Sequence, residues 1–387
     1  MQIAGTKREY TLGIWALALG YFLSYIPYSG LTKAATSGLL TGGRPISGPE
    51  LLPSAAVSTA SAVLLFITAM GWWQYGRKHQ LLGLNIVFPR PQTVISGIGF
   101  TAIIITTLLS YSFSGVSIIL ALVLMRAGAL TMSPIIDRFF HRRVRWFSWA
   151  GLILSLSAVL ISLINTRDYQ LSTVVLINLG IYLLGHTLRI PSMTRIAKTG
   201  EKRIAYDYFV EEQAVAMPGL VAVLVVLAVI GRGDTINHLR FGFSHLFSSS
   251  SLLGWGIGLC YAALGIFLSF LYLDRRENTF CMPLFACSSL LSGIAASYFL
   301  SWWLRGPKPS GTQISSAVLL IAALLVMSPL HHLPLYVRQL KNARLARQLV
   351  LVEFVRSSST GTTADAQPTA VHFITIDVQG IRQFFRR

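Results

Sequence analysis

The chain has 387 residues, is 53% hydrophobic but only 12% charged, and has a mean hydropathy of +0.61. An ordinary globular domain carries about 25% charged residues; half that value cannot cover a water-soluble surface of this size, which excludes a soluble enzyme, a disordered chain and a disulfide-stapled secreted domain. Lys and Arg outnumber Asp and Glu by 32 to 14, an excess that in so apolar a chain sets membrane topology and meets anionic lipid rather than nucleic acid.

A membrane span needs about 20 mostly apolar residues. Ten candidates follow one another at 12–31, 53–73, 94–113, 116–136, 146–164, 172–191, 212–231, 252–273, 281–303 and 313–333. Lys7 and Arg8 before the first imitate a signal peptide, but the apolar run is long and no small-residue cleavage site closes it, so it reads as a first transmembrane helix left in place. Ser114 and Gly115 alone separate the third and fourth, a tight hairpin. The quartet Asp274-Arg275-Arg276-Glu277 separates the eighth and ninth. Trp72-Trp73 and Trp302-Trp303 fall at interface-belt positions. Each segment satisfies its own backbone polar groups as a helix, as hydrocarbon demands.

Alternate connections hold 24 Lys and Arg on one side and 7 on the other, with Arg126 inside a span; without the C-terminal tail the ratio is 16 to 7. By the positive-inside rule both termini are cytoplasmic, and the sustained alternation argues for an even number of spans. Beyond residue 335, Arg338, Lys341, Arg344 and Arg347 recur every three residues among Leu340, Leu345 and Leu349, a basic amphipathic helix expected on the inner leaflet or against a partner. A Ser/Thr-rich linker, 357–370, and a short strand-like stretch follow.

Two internal matches share nearly one offset. Ile26-Pro27 in the first span matches Ile190-Pro191 in the sixth at 164 residues. ALTMSPIIDRFFHRRVRWFSWAGLILSLSAVLIS matches IAASYFLSWWLRGPKPSGTQISSAVLLIAALLVM at 165, with Gly128 opposite Gly293 and Ala158 opposite Ala323. A repeat of five spans places its two copies upside-down relative to each other around a central cavity, the geometry of secondary transporters. The Gly128 and Gly293 positions allow close helix approach at the repeat interface.

The stretches SGVSIILALVLMRAGALTMSPIIDRFFHRRVRWFSWAGLILSLSAVLIS and FACSSLLSGIAASYFLSWWLRGPKPSGTQISSAVLLIAALLVMS each join a helix rich in small residues, a short loop and a Gly/Ser-led apolar helix. In this they resemble the closing portions of the two EamA-type repeats of the bacterial drug/metabolite transporter superfamily, over about 110–164 and 280–330. That resemblance implies an all-α membrane protein of the bacterial inner membrane, with ten helices in two inverted repeats and a central cavity for a small metabolite or amphipathic compound. The domains are then 1–165 and 166–335, with a short cytoplasmic tail, 336–387. The family often carries an acidic residue where the loop after the fourth helix begins; here Asp137 is followed at once by a basic run. The long tail is a further departure.

Arg126 is the sharpest single signal. An unpaired guanidinium at mid-membrane costs about 2.5–3.5 kcal/mol on insertion scales, so it should face the cavity, pairing with an acid or carbonyl or holding an anionic group. Tyr21 and Tyr25, with Trp15, share the first span, and Tyr261 lies in the eighth; they line a pocket for an organic substrate or belong to an interface belt. His186 is either a proton carrier or a packed histidine. Glu211 and Glu212 begin the seventh span and either couple protons or favour its N-terminus electrostatically. Pro27, Pro134, Pro191 and Pro218 are candidate hinges. Adjacent His331 and His332 point different ways on a helix, and Cys260, Cys281 and Cys287 read as small buried hydrophobes, so no metal or cofactor is implied.

With no nucleotide-binding motif, the reading is a gradient-driven secondary transporter rather than an enzyme, with a small-molecule substrate, anionic lipid at the cytoplasmic face and possible homodimerisation. The alternatives are a lipid-linked transferase, against which the widely spaced Glu50, Asp168 and Asp234 of the outer loops argue, and an accessory subunit of a membrane complex.

Overall fold

A computed structural model describes residues 13–40, 44–81, 84–110, 118–164, 173–199, 201–248, 251–304 and 311–328. They belong to one compact unit that ends at Ser328. The Ser114-Gly115 hairpin, the His331-His332 pair and the tail lie outside the described residues.

Helices form where the apolar runs predict them: α1 Ile14–Thr36, α2 Gly48–Ala69, α3 Pro91–Leu109, α4 Ile118–Phe139, α5 Trp146–Ile164, α6 Thr173–Ile196, α7 Lys202–Ile230, α9 Ser251–Leu273, α10 Asn278–Trp303 and α11 Gly311–Met327. Two features between them carry no long apolar run. Strands β1 Lys78–Leu81 and β2 Leu84–Val87 pair antiparallel, Lys78 opposite Val87. The short helix α8, Asp234–Ser244, follows α7; its Arg240 donates to the Gly231 carbonyl at 2.9 Å, so a cation closes the C-terminal end of α7.

Among the described residues six helices, α1, α2, α3, α7, α9 and α10, are long and apolar enough to cross a membrane. Within their apolar runs α4 carries Arg126 and Asp137, and α6 carries His186, Arg189 and Arg195. The distribution of polarity is that of a membrane protein. Exposed apolar side chains form helical stripes: Ile314, Val318, Ile321 and Leu325 on α11, and Ile177, Ile181 and Leu184 on α6. Inside are Arg126, Asp137, Arg189, Glu211, Glu212 and many Ser and Thr. Water would reward the reverse arrangement; lipid rewards this one.

The packing has an exchange symmetry. α1 packs on α9 and α10, while α6 packs on α3 and α4. α2 packs on α9 as α7 packs on α3, and the pairs α5–α11, α4–α10 and α2–α7 also meet. Swapping α1 with α6, α2 with α7, α3 with α9, α4 with α10 and α5 with α11 maps this set onto itself. The α5–α10 contact has no counterpart of similar extent.

The tightest glycine crossing is not the expected one. A Cβ at Gly128 would meet Leu183 of α6, whereas one at Gly293 meets nothing. Backbones approach most closely along α2, where a Cβ at Gly258 of α9 would meet the Ala55 carbonyl oxygen and one at Gly242 of α8 that of Glu50; where α3 crosses α6, a Cβ at Gly99 would lie 2.7 Å from the Gly185 carbonyl oxygen, and one at Gly185 equally close to that of Gly99. Pro27, Pro134, Pro191 and Pro218 all fall inside continuous helices.

Candidate functional site

A small cavity, with room for about one water molecule, lies inside the bundle. Its wall includes Tyr21, Tyr25, Phe100, Thr107, Arg126, Tyr182, His186, Arg189, Tyr261 and Phe285. Thus α1, α3, α4, α6, α9 and α10 all contribute. The structure brings together on one surface the five residues singled out as substrate-binding candidates: Arg126, Tyr21, Tyr25, His186 and Tyr261.

Helical spacing explains how. Tyr21, Tyr25 and Tyr28 lie four and three residues apart and share one face of α1. Their rings meet in sequence, Tyr21 to Tyr25 at 5.5 Å and Tyr25 to Tyr28 at 5.4 Å, and Tyr28 meets Tyr261 of α9 at 5.1 Å. Tyr182, His186 and Arg189 repeat the same spacing on α6. Tyr182 and His186 pack edge to face at 4.6 Å.

Arg126 is 6% exposed. Its Nη1 donates to the Tyr182 hydroxyl at 3.2 Å and its Nη2 to the Tyr25 hydroxyl at 3.4 Å. The guanidinium lies 4.2 Å over the Phe285 ring. No carboxylate among the described residues pairs with it. Both ring nitrogens of His186, 1% exposed, lack a hydrogen-bond partner.

Arg189 corrects the sequence reading, which counts it among the basic residues of a loop. It is fully buried within α6 and held by Glu212: Nε donates to Oε1 at 2.9 Å and Nη2 to Oε2 at 2.8 Å. Nη2 also donates to Ser269 Oγ at 2.9 Å, and the guanidinium lies 3.7 Å over Phe100. Its Nη1 is unpartnered. The loop bias survives the removal of this residue, at 15 to 7 outside the tail.

Glu211 and Glu212 are also displaced from their expected place. The helix starts at Lys202, so both sit well inside α7 and both are fully buried. A dipole acts within the first turn, so the N-terminal electrostatic role is overturned. Neither carboxylate lines the cavity. Glu212 stands behind Arg189 and accepts from Ser96 Oγ at 2.6 Å, to which the Tyr208 hydroxyl donates. Glu211 accepts the Arg90 backbone N–H at 3.1 Å. Its other oxygen has no hydrogen-bond partner, although the Arg90 guanidinium lies 3.7 Å away. Arg90 itself pairs with Asp207 at 2.8 Å.

A polar clasp closes one end of the bundle. Asp137, at the end of α4, accepts the backbone N–H groups of Asn278 at 3.0 Å and Thr279 at 2.7 Å, together with both their side chains. It therefore caps α10 in trans, satisfying donors that a helix start leaves open. Arg145 grips Glu277 in fork geometry at 2.9 and 3.1 Å, and Ser148 donates to the same carboxylate at 2.7 Å. Burial pushes the Glu277 carboxyl up, but the hydrogen bonds from Arg145 and Ser148 outweigh it and hold the group below its ordinary value. Lys198 donates to the Arg276 carbonyl at 3.0 Å.

Trp72, expected in an interface belt, is partly buried and packs among Tyr206, Phe209 and Phe270. Trp302 and Trp303 are exposed, at 80% and 69%. The three cysteines are free, and no group of three or more His, Cys, Asp or Glu among the described residues could hold a metal.

No family model matches the chain, and no curated protein matches it. A solved structure described only as "Crystal structure of protein" is similar over 81% of this chain and 99% of its own, at 14% identity and a TM-score of 0.50. At that identity the likeness is one of fold.

Two signals for the site went unused in the sequence. Tyr25-Ile26-Pro27 and Arg189-Ile190-Pro191 are the two Ile-Pro matches with one residue added, and that added residue lines the cavity in both. The spacing of Tyr182, His186 and Arg189 also predicts a shared face. Tyr208 stands four residues before Glu212 on α7 and shares its face; Ser96 carries no such signal, and only the packing of α3 on α7 brings it to Glu212.

Proposed function

We propose that the chain is a secondary transporter that carries a small organic metabolite across the bacterial inner membrane by alternating access. Its two units are α1–α5 and the set α6, α7, α9, α10 and α11, related as inverted repeats in the manner of EamA-type drug/metabolite transporters. The observation that carries this reading is the cavity. An enzyme acting at a membrane surface needs a site at one end of the bundle, whereas this cavity is walled by helices from both units.

Three further features support it. The packing set is unchanged by exchange of the two units. The residue before each Ile-Pro pair reaches the same cavity from α1 and from α6. The clasp of Asp137, Arg145 and Ser148 against 277–279 joins the two units at one end, where an access route would have to open. In this mechanism the units rock about the cavity, with Pro27, Pro134, Pro191 and Pro218 absorbing the bend. Substrate meets the aromatic wall by stacking and Arg126 by charge, with Glu211 and Glu212 as the candidate carboxylates for coupling.

The test is counterflow in proteoliposomes. Vesicles loaded with pooled unlabelled metabolites should accumulate individual labelled members of the pool, and protein-free vesicles should not. Absence of counterflow for every member, with folded and correctly inserted protein, would refute the reading.

A further inference from the structure

We infer that the cavity is built for an organic monoanion, specifically a carboxylate on a flat apolar body, with Arg126 as its counter-ion. This deepens the transporter reading and rests on it for the role of the cavity as a substrate site. Charge sets the sign. Among the described residues two guanidiniums, Arg126 and Arg189, reach the cavity and no carboxylate does. Glu212 neutralises Arg189 through two hydrogen bonds. Arg126 has only two phenol hydroxyls, at 3.2 and 3.4 Å, both longer than a charge-assisted bond. One positive charge is therefore left over, and a monoanion balances it.

The surrounding wall sets the rest. Tyr21, Tyr25, Tyr261 and Phe285 make the wall aromatic. Such a wall alone would suit an organic cation, but Arg126 beside it repels one. His186, buried with both ring nitrogens unpartnered, supplies a second polar contact aimed at the same space. Because Arg126 already touches Tyr25 of α1 and Tyr182 of α6, an anion held there contacts both units at once.

The experiment uses the purified full chain and three probes of one shape: phenylacetate, phenylacetamide and phenethylamine. Affinity is read by titration calorimetry and by ligand-dependent unfolding temperature. Phenylacetate should bind at least about ten-fold tighter than the amide, and the amine more weakly still. Arg126→Gln should erase the acid-over-amide preference, and Arg126→Lys should retain it in weakened form. Failure of phenylacetate to bind, equal binding of amide or amine, or a preference that survives Arg126→Gln would each overturn the inference. Should Arg126→Gln fail to fold, the three probes on the unmodified protein and on Arg126→Lys still decide it. Proteoliposome flux separates the two readings: acid binding without flux leaves the anion site and sinks the transporter, while flux of neutral and cationic solutes without acid preference does the converse.

Discussion

Replacing Glu212 by Gln removes one charge and almost no volume, so its effect isolates the electrostatics of the buried pair. Both partners are 0% exposed. Three donors converge on the two carboxylate oxygens: Arg189 Nε and Ser96 Oγ on Oε1, and Arg189 Nη2 on Oε2. A glutamine offers one acceptor oxygen, so either rotamer sets its NH2 against a donor. The guanidinium also loses its counter-ion where water cannot replace it. Breaking one partner of such a pair costs about 3–5 kcal/mol. Removing both costs much less, because nothing charged is left behind. We therefore expect Glu212→Gln and Arg189→Met each to lower stability by about 3–5 kcal/mol. The Arg189→Met/Glu212→Leu double variant should lie closer to the unmodified protein than either, since the hydroxyls of Ser96 and Ser269 can turn to backbone carbonyls. Unfolding titrations in mixed micelles supply the four corners of the cycle. Additive losses in the double variant would refute the argument, because they would mean that the two charges do not meet in the folded protein.

Other expectations are sharper in geometry than in energy. Ser155 Oγ of α5 lies 3.3 Å from Cys287 Sγ of α10, so in Ser155→Cys membranes an added thiol oxidant should couple the two thiols into a disulfide. Mass spectrometry reads the cross-link, and counterflow should fall with its yield and return on reduction. Gly99→Ala should cost about 1–3 kcal/mol, because its methyl group would press on the Gly185 carbonyl where two backbones meet; an unchanged unfolding curve contradicts this. The Glu277 carboxyl is held below its ordinary value of 4.5, so its contribution to stability is complete above that value and disappears as pH falls through the lower native one. Glu277→Gln should remove this part of the acid sensitivity, measured as the difference between the two pH–stability curves.

What could be read in the sequence follows from the physics of lipid. The need for each span to satisfy its own backbone makes the ten long helices visible as apolar runs. The short helix α8 and the β1–β2 hairpin escape that logic because they carry no such run. Charges mislead by position. Arg189 stands seven residues from the end of α6, close enough to the next loop to be counted with it, and only the packing of α6 beside α7 reveals Glu212 as its partner. Glu211 and Glu212 mark the start of an apolar run but not the start of a helix, because the polar segment from Lys202 is helical as well. The aromatic wall was legible in part: Tyr21 and Tyr25 share a span and Tyr182 shares a helix face with His186, while Phe285 enters only when α10 packs against Arg126. Asp137 looked compromised by the basic run after it, yet its carboxylate points away from that run onto the first residues of α10.

That capping aspartate leads to the last expectation, on which end of the bundle is shut. Asp137, Arg145 and Ser148 come from the α4–α5 side, and Glu277, Asn278 and Thr279 from the α9–α10 side, so every bond between them must break if this end opens. Cys281 lies one turn inside the clasp, 1% exposed and 3.7 Å from Lys198 Nζ. Its labelling by a water-soluble maleimide therefore reports opening of this end. Asp137→Asn leaves an amide donor facing the N–H groups of α10, and an unsatisfied buried donor costs about 1–3 kcal/mol. If this cost falls on the closed form alone, the open population and the labelling rate rise roughly five- to a hundred-fold. Cys287, two turns further along α10 and fully buried, is the control, with each thiol measured in a chain lacking the other two cysteines. Faster labelling of Cys281 alone means that the clasp holds this end closed. Equal acceleration at Cys287 means that the helix has lost its packing, and unchanged rates at both mean that the clasp does not govern access.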